Sequence, residues 1–188
     1  GIALVVREFN KWLDEKLLKK FSYKPLDVDS KETSLTDYKG DVLDQVSQGV
    51  LGVHRDDTAL VPERFIYDSV VYDSPKEKDT ITKSDIDEVV VFGKIPRRSI
   101  QIPLFTGGTT SPDFMYVINS EEGEYEINFI VETKDMADSR GLRRDEEYRI
   151  KSAEKFFNTL KEEGLNVVFK KQLNSDDIVA MIKGVSRN

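Results

Sequence analysis

The sequence predicts an α/β fold in which a mixed central sheet is flanked by helices, with a helical extension at the N-terminus. Three observations carry this. Short runs rich in Val, Ile, Phe and Tyr recur between residues 64 and 133, which is the pattern of strands. Apolar stripes at three- and four-residue steps stand before and after them, which is the pattern of helices. Beyond the strands the order helix, strand, helix returns, so helices must pack on the sheet.

The elements follow in order. Ile2, Val5, Phe9, Trp12, Leu13, Leu17 and Phe21 form one stripe, so residues 2–21 are expected as a long amphipathic helix with Trp12 in a core or an interface. Residues 22–62 are polar and broken by Pro25, Gly40, Gly49 and Gly52, with room for one short helix between Val42 and Leu51. Strands are expected over 64–72, 88–92, 99–105, 114–118 and 127–133, punctuated by Pro96, Gly107-Gly108 and Glu121-Glu122-Gly123. Ser74 followed by Pro75 reads as an N-cap with proline in the first turn, which starts a short helix there. Ile150, Ala153, Phe156, Phe157 and Leu160 mark a helix ending at Gly164. A strand over 166–173 and a helix capped by Asn174 or Ser175, running to Lys183, complete the chain. The expected division is residues 1–62 as an N-terminal helix with an accessory or linker region, and 63–188 as the α/β domain.

Composition narrows the chemistry. The chain has 188 residues, 38% hydrophobic and 34% charged, enough for one core. It has no cysteine, which removes disulfides, thiolate metal sites and cysteine nucleophiles. The single histidine, His54, lies in polar text and excludes a histidine-rich metal centre. There is no apolar run of about 18 residues and no secretory signal pattern, so a soluble, cytoplasmic protein without membrane contact is expected. Gly1 opens the chain, which reads as a piece of a longer protein.

Net charge is −7. Residues 1–90 hold 13 Lys and Arg against 19 Asp and Glu, and residues 91–188 hold 15 against 16. Proteins that grip DNA unaided are usually basic. This chain therefore either avoids nucleic acid or is delivered to it by another part.

Pro112-Asp113 stands at the mouth of the strand over 114–118, and nineteen residues later Glu132-Thr133-Lys134 closes the apolar run that begins at Ile127. Period-2 alternation places Glu132 and Lys134 on one face of their strand and Thr133 on the other. If the two strands are neighbours, Asp113 meets the pair. Two carboxylates and a lysine at one sheet end suit hydrolysis, because hard oxygen ligands hold Mg²⁺ and the lysine balances charge developing on a phosphate. An acid-x-Lys triplet alone is cheap, since Asp14-Glu15-Lys16, Asp29-Ser30-Lys31 and Asp37-Tyr38-Lys39 also occur. Only the triplet at 132–134 ends an apolar strand.

With its surroundings, this pattern resembles the PD-(D/E)XK nuclease superfamily, and in particular the C-terminal endonuclease domain of the Res subunit of type III restriction enzymes. The resemblance runs from about Asp56 to Leu173 and rests on five blocks in order. These are Arg64-Phe65-Ile66-Tyr67; Val71-Tyr72-Asp73-Ser74-Pro75; Gly93-Lys94-Ile95-Pro96-Arg97-Arg98-Ser99-Ile100; Ser111-Pro112-Asp113-Phe114-Met115-Tyr116-Val117; and Val131-Glu132-Thr133-Lys134.

The resemblance implies a restriction-endonuclease-like core and a Mg²⁺-dependent phosphodiesterase that cuts duplex DNA, with Mn²⁺ as a substitute. It implies Asp113 and Glu132 as metal ligands and Lys134 as the third catalytic residue. The superfamily often carries an acid on the first core helix, where Glu77 is the match and a further candidate ligand. It also implies a helicase-like motor in the same polypeptide and a Mod subunit that methylates and recognises the site. No phosphate-binding GxxxxGK[ST] loop occurs here, so ATP would belong to the absent motor region.

Candidates for DNA phosphate contact are Arg97 and Arg98 after Pro96, and Arg140, Arg143, Arg144 and Lys151 around the helix that follows Lys134. The loop Gly107-Gly108-Thr109-Thr110-Ser111 beside Asp113 reads as a turn that could also touch DNA. Two other readings compete with the nuclease. One is a catalytically silent nuclease-like module that binds DNA or a partner within a helicase-type protein. The other is an interaction domain that docks through the helix over 2–21.

Overall fold

A computed structural model of the chain describes residues 2–24, 35–121, 126–134 and 144–187. The elements are α1 (Ile2–Lys20), α2 (Gln48–Leu51), β1 (His54–Asp56), β2 (Val70–Tyr72), α3 (Pro75–Lys83), β3 (Val89–Lys94), β4 (Ile102–Pro103) and β5 (Thr109–Thr110). They continue with β6 (Phe114–Asn119), β7 (Glu126–Thr133), α4 (Arg144–Glu162), β8 (Val167–Gln172) and α5 (Ile178–Ser186).

The central sheet has the order β3-β6-β7-β8. β3 and β7 each run antiparallel to β6, which lies between them, and β8 joins β7 in parallel, with α4 between the two in the chain. This is the mixed α/β sheet that the sequence predicts. Alternation along β7 sends Ile127, Phe129 and Val131 into one apolar cluster with Phe92, Tyr116, Ile81, Ile178 and Ile182, which lies under α3 and α5. Ile130 points the other way, into a second cluster with Ala153 and Phe157 of α4. The strand is thus buried on both faces from Phe129 onward, as a strand covered by helices above and below must be.

Tyr116 is wholly buried and stacks on Phe92 with centroids 5.3 Å apart. Its hydroxyl is satisfied by Ser84 Oγ at 2.9 Å, and that hydroxyl in turn donates to the Thr80 carbonyl. α3 is fastened to the strand end by Thr80 Oγ1 donating to Gln172 Oε1 at 2.9 Å and by Lys76 Nζ donating to the carbonyls of Asn174 and Asp176.

Several local expectations are corrected. The run 64–72 is regular only at β2; Phe65 makes a lone parallel bridge to Phe92, and the chain between turns so that Tyr67 donates its hydroxyl to the Lys94 carbonyl. The run 99–105 shortens to the two residues of β4, because Pro103 has no N–H to extend a ladder. The last helix is capped by Asp177, not Asn174 or Ser175. Asp176 first closes a turn back onto Leu173, and the helix starts beyond it.

Residues expected as a connector include β1, which pairs antiparallel with β2, while Val50 accepts the Arg97 N–H. α1 is held at its C-terminal end: Lys155 Nζ donates to the Leu18 carbonyl, Phe21 stacks on Phe105, and Tyr23 donates to the Pro103 carbonyl. Its first turns are uncovered, and Trp12 is 53% exposed rather than in a core. Among the described residues no helix is long and apolar enough to cross a membrane.

Candidate active site

The site forms where β6 begins and β7 ends. Pairing of Phe114 with Val131 brings Asp113 beside Glu132, and the Asp113 N–H donates to the Val131 carbonyl at 3.0 Å. If this ladder continued, the Thr133 N–H would meet the carbonyl of residue 112. The chain turns away at Pro112, and the Asp113 carboxylate takes that place. Its Oδ2 accepts from Thr133 N at 2.6 Å and from Thr133 Oγ1 at 2.7 Å. Thr133 therefore belongs to the site, although alternation alone puts it on the other face of the strand. Among the described residues Oδ1 of Asp113 has no hydrogen-bond donor.

Glu132 is buried on the α4 face, in line with Ile130, and its Oε1 accepts from Lys134 Nζ at 2.7 Å. The Lys134 backbone continues the parallel ladder by donating to the Gln172 carbonyl at 2.8 Å. Burial raises the Glu132 pKa well above the ordinary carboxylate value, the charge of Asp113 raises it further, and the Lys134 ion pair does not cancel the two. Asp113 is raised for the same first reason, burial, against which its two Thr133 bonds work, while the charge of Glu77 adds to the rise. For Lys134, burial opposes the charged form, but Glu132, Asp113 and Glu146 outweigh it and raise its pKa. Two carboxylates in one desolvated place resist being ionised together. A hard divalent cation relieves that condition.

Glu77 approaches from the other face of the sheet. Ser74 caps α3 by accepting the Glu77 N–H at 3.2 Å, and Glu77 Oε2 accepts the Asp73 N–H at 2.9 Å, a variant of the reciprocal capping box. The same Oε2 lies 2.6 Å from Lys94 Nζ. Among the described residues no three Asp, Glu, His or Cys side chains come together as a ready metal cluster. Mg²⁺ commonly takes one or two carboxylates and completes its shell with water, so Asp113 and Glu132 fit as donors.

Residues 63–176 match the family described as an endonuclease domain. The chain belongs to that family.

Its relatives include three Res subunits of type III restriction-modification enzymes. It is 39% identical over 177 residues to that of EcoPI from Escherichia phage P1 and 38% identical over 177 residues to that of EcoP15I from Escherichia coli. It is 30% identical over 166 residues to that of StyLTI from Salmonella typhimurium. These matches cover 93%, 93% and 87% of this chain but only 18%, 18% and 16% of those proteins. No solved structure matches it.

The remaining described candidates of this endonuclease domain lie on separate elements. Arg97 is half exposed and already engaged, with Nη2 2.8 Å from Asp73 Oδ1 and Nη1 donating to the Gly49 carbonyl. Arg98 is exposed with φ of 70°, a left-handed conformation rare for a residue with a side chain. Lys151 pairs with Glu147 one turn earlier on α4 at 2.6 Å. Arg144 opens α4, and Arg140 and Arg143 lie outside the described residues. His54 is exposed on β1 against Tyr72.

Sequence reasoning missed Lys94, Asp73 and Thr133. Lys94 ends the apolar strand Val89–Lys94 as Lys134 follows the apolar strand β7, and that shared context was the signal available.

Proposed function

We propose that this chain is the cleavage domain of a type III restriction enzyme Res subunit, a Mg²⁺-dependent endonuclease acting on duplex DNA. The observation that supports it best is the meeting of Asp113, Glu132 and Lys134 at one sheet end, in a member of the endonuclease-domain family. Asp113 and Glu132 would hold the cation, with Glu77 as a third contributor and Mn²⁺ as a working substitute. When bound, the cation lowers the pKa of water and screens the phosphate charge.

The protein groups then divide the work. Thr133 fixes Asp113 so that one carboxylate oxygen faces away from the protein donors. Lys134, held by Glu132, supplies an ammonium beside the phosphate, where negative charge grows as the water oxygen bonds to phosphorus and the bridging P–O bond breaks. Arg98, Arg143, Arg144 and Lys151 contact the DNA backbone, and Arg97 shapes the turn that presents Arg98. Residues 63–188 are the endonuclease unit, and 1–62 are accessory to it. The rest of the Res polypeptide supplies the ATP-driven motor, a Mod subunit supplies site recognition and methylation, and the assembly works in the cytoplasm.

The test is nicking of supercoiled plasmid by a large excess of the chain in Mg²⁺ or Mn²⁺, against Asp113→Ala and a chelator. Nicking lost in both controls supports the reading; nicking that survives Asp113→Ala refutes the assigned site.

A further inference from the structure

Lys94 is the last residue of β3 and is 4% exposed. Its ammonium lies 2.6 Å from Glu77 Oε2 and 2.9 Å from Asp73 Oδ2, and its carbonyl is fixed by the Tyr67 hydroxyl at 2.7 Å. A buried ammonium is costly unless paired, and an apolar side chain of similar size is often the more stable choice. What the charge does here is geometric. Glu77 Oε2 is gripped by two donors, Lys94 Nζ and the Asp73 N–H, whereas Oε1 has no partner among the described residues. Strand register sets Lys94 opposite Phe114, and the Ile95 N–H donates to the Asp113 carbonyl at 2.7 Å, so the pinned acid stands at the same sheet end as Asp113. Glu77 and Asp113 thus share one design: one oxygen is occupied by two protein donors and the other is left over.

We propose that Lys94 is a positioning residue for the cation site, acting through Glu77 by pinning Oε2 so that Oε1 is presented toward Asp113. This rests on the reading above that a divalent cation binds at Asp113 and Glu132. Asp73 is the counterweight. It accepts from Lys94 on Oδ2 and from Arg97 and the Val53 N–H on Oδ1, so it keeps the lysine from being drawn wholly to Glu77 and couples the pin to the segment around Val53. A lysine in this role touches neither substrate nor water. Its effect should be read in metal affinity and should vanish once Glu77 is gone.

The experiment is a Mn²⁺ titration of the 188-residue chain, followed by the electron paramagnetic resonance of free Mn²⁺, with thermal melts on every variant. The variants are Asp113→Asn, Glu77→Gln, Lys94→Gln, Lys94→Gln with Glu77→Gln, and Lys94→Gln with Asp73→Asn. The last removes one positive and one negative charge together, so it keeps the local balance if Lys94→Gln alone fails to melt cooperatively. Lys94→Gln, or its charge-balanced companion, is expected to weaken Mn²⁺ binding about tenfold, the usual scale for an outer partner of a metal ligand. Glu77→Gln should match it, and the Lys94–Glu77 double variant should be no weaker than either single change. Unchanged or tighter binding without Lys94 overturns the proposal, as does a Lys94 effect that persists undiminished in the Glu77→Gln background. If the unaltered chain binds Mn²⁺ no better than Asp113→Asn, the functional reading itself falls and this proposal with it.

Discussion

Thr133 gives both its backbone N–H and its hydroxyl to a single oxygen of Asp113, at 2.6 and 2.7 Å. The acid is therefore oriented by the middle residue of the Glu-Thr-Lys triplet, the one position of the three that the motif leaves open.

Replacing Thr133 by Val keeps the shape and the backbone donor but deletes the hydroxyl. Hydrogen bonds to a charged group contribute about 1.5–3 kcal/mol, so nicking should slow about tenfold or more, while Thr133→Ser should restore most of the rate. A Val variant as fast as the parent would show that the backbone N–H alone holds Asp113.

Glu132 sets a pH dependence in the metal-free chain. Its pKa is raised on folding, so the folded state holds the proton more tightly than the unfolded chain does. The stability it contributes is complete below the ordinary carboxyl value of about 4.3 and is lost as pH rises through the folded value, about 8. Glu132→Gln lacks this loss. Melting temperatures with chelator present should show the variant gaining on the parent steadily between those two pH values; a constant difference would contradict the raised pKa.

Gly52 and Gly93 are both tight, but against different neighbours. A Cβ at Gly52 would lie 2.8 Å from the carbonyl carbon and oxygen of Tyr72, backbone that is tied into the β1–β2 ladder. One at Gly93 would lie 2.6 Å from side-chain carbons of Ile66, which is half exposed and free to swing. Gly52→Ala should cost about 1–3 kcal/mol in a urea melt, the usual range for overpacking, and Gly93→Ala less. The reverse order would mean that the β1–β2 pair yields more readily than the Ile66 side chain.

Trp12 is the single tryptophan and stands 53% exposed on α1. Acrylamide should quench its fluorescence readily, and Trp12→Ala should change stability by less than about 0.5 kcal/mol, as surface substitutions do. A blue-shifted, protected emission would show that this face is covered.

Much of this architecture was legible because it is written locally. Ser74-Pro75 announces α3, the 150–160 stripe announces α4, and the carboxylates at 113 and 132 lie at ends of apolar runs that can only be strands. What depended on partners was not. Nothing in the sequence says that β3 lies beside β6, and without that neighbour Lys94 is one more lysine and Asp73 one more acid before a helix cap. The long runs at 64–72 and 99–105 shortened because β-rich composition gives a segment the means to pair, but the chain must also stay extended and keep its donors: it turns between Phe65 and β2, and Pro103 has no N–H to give. The Trp12 stripe left a core and an interface both open, since amphipathic spacing reports what a helix can bury and not what lies against it, and the exposure of Trp12 removes only the core.

β7 has a hydrogen-bonded neighbour along each edge, β6 on one side and β8 on the other. A strand so placed cannot fray from its margins, and its amides exchange with solvent only when the sheet as a whole comes apart. The carboxylates at its end inherit that timing. Asp113, Glu132 and Lys134 lose their arrangement in the same cooperative event that dissolves the core, so a partly opened chain keeps the three side chains together and a globally unfolded one does not.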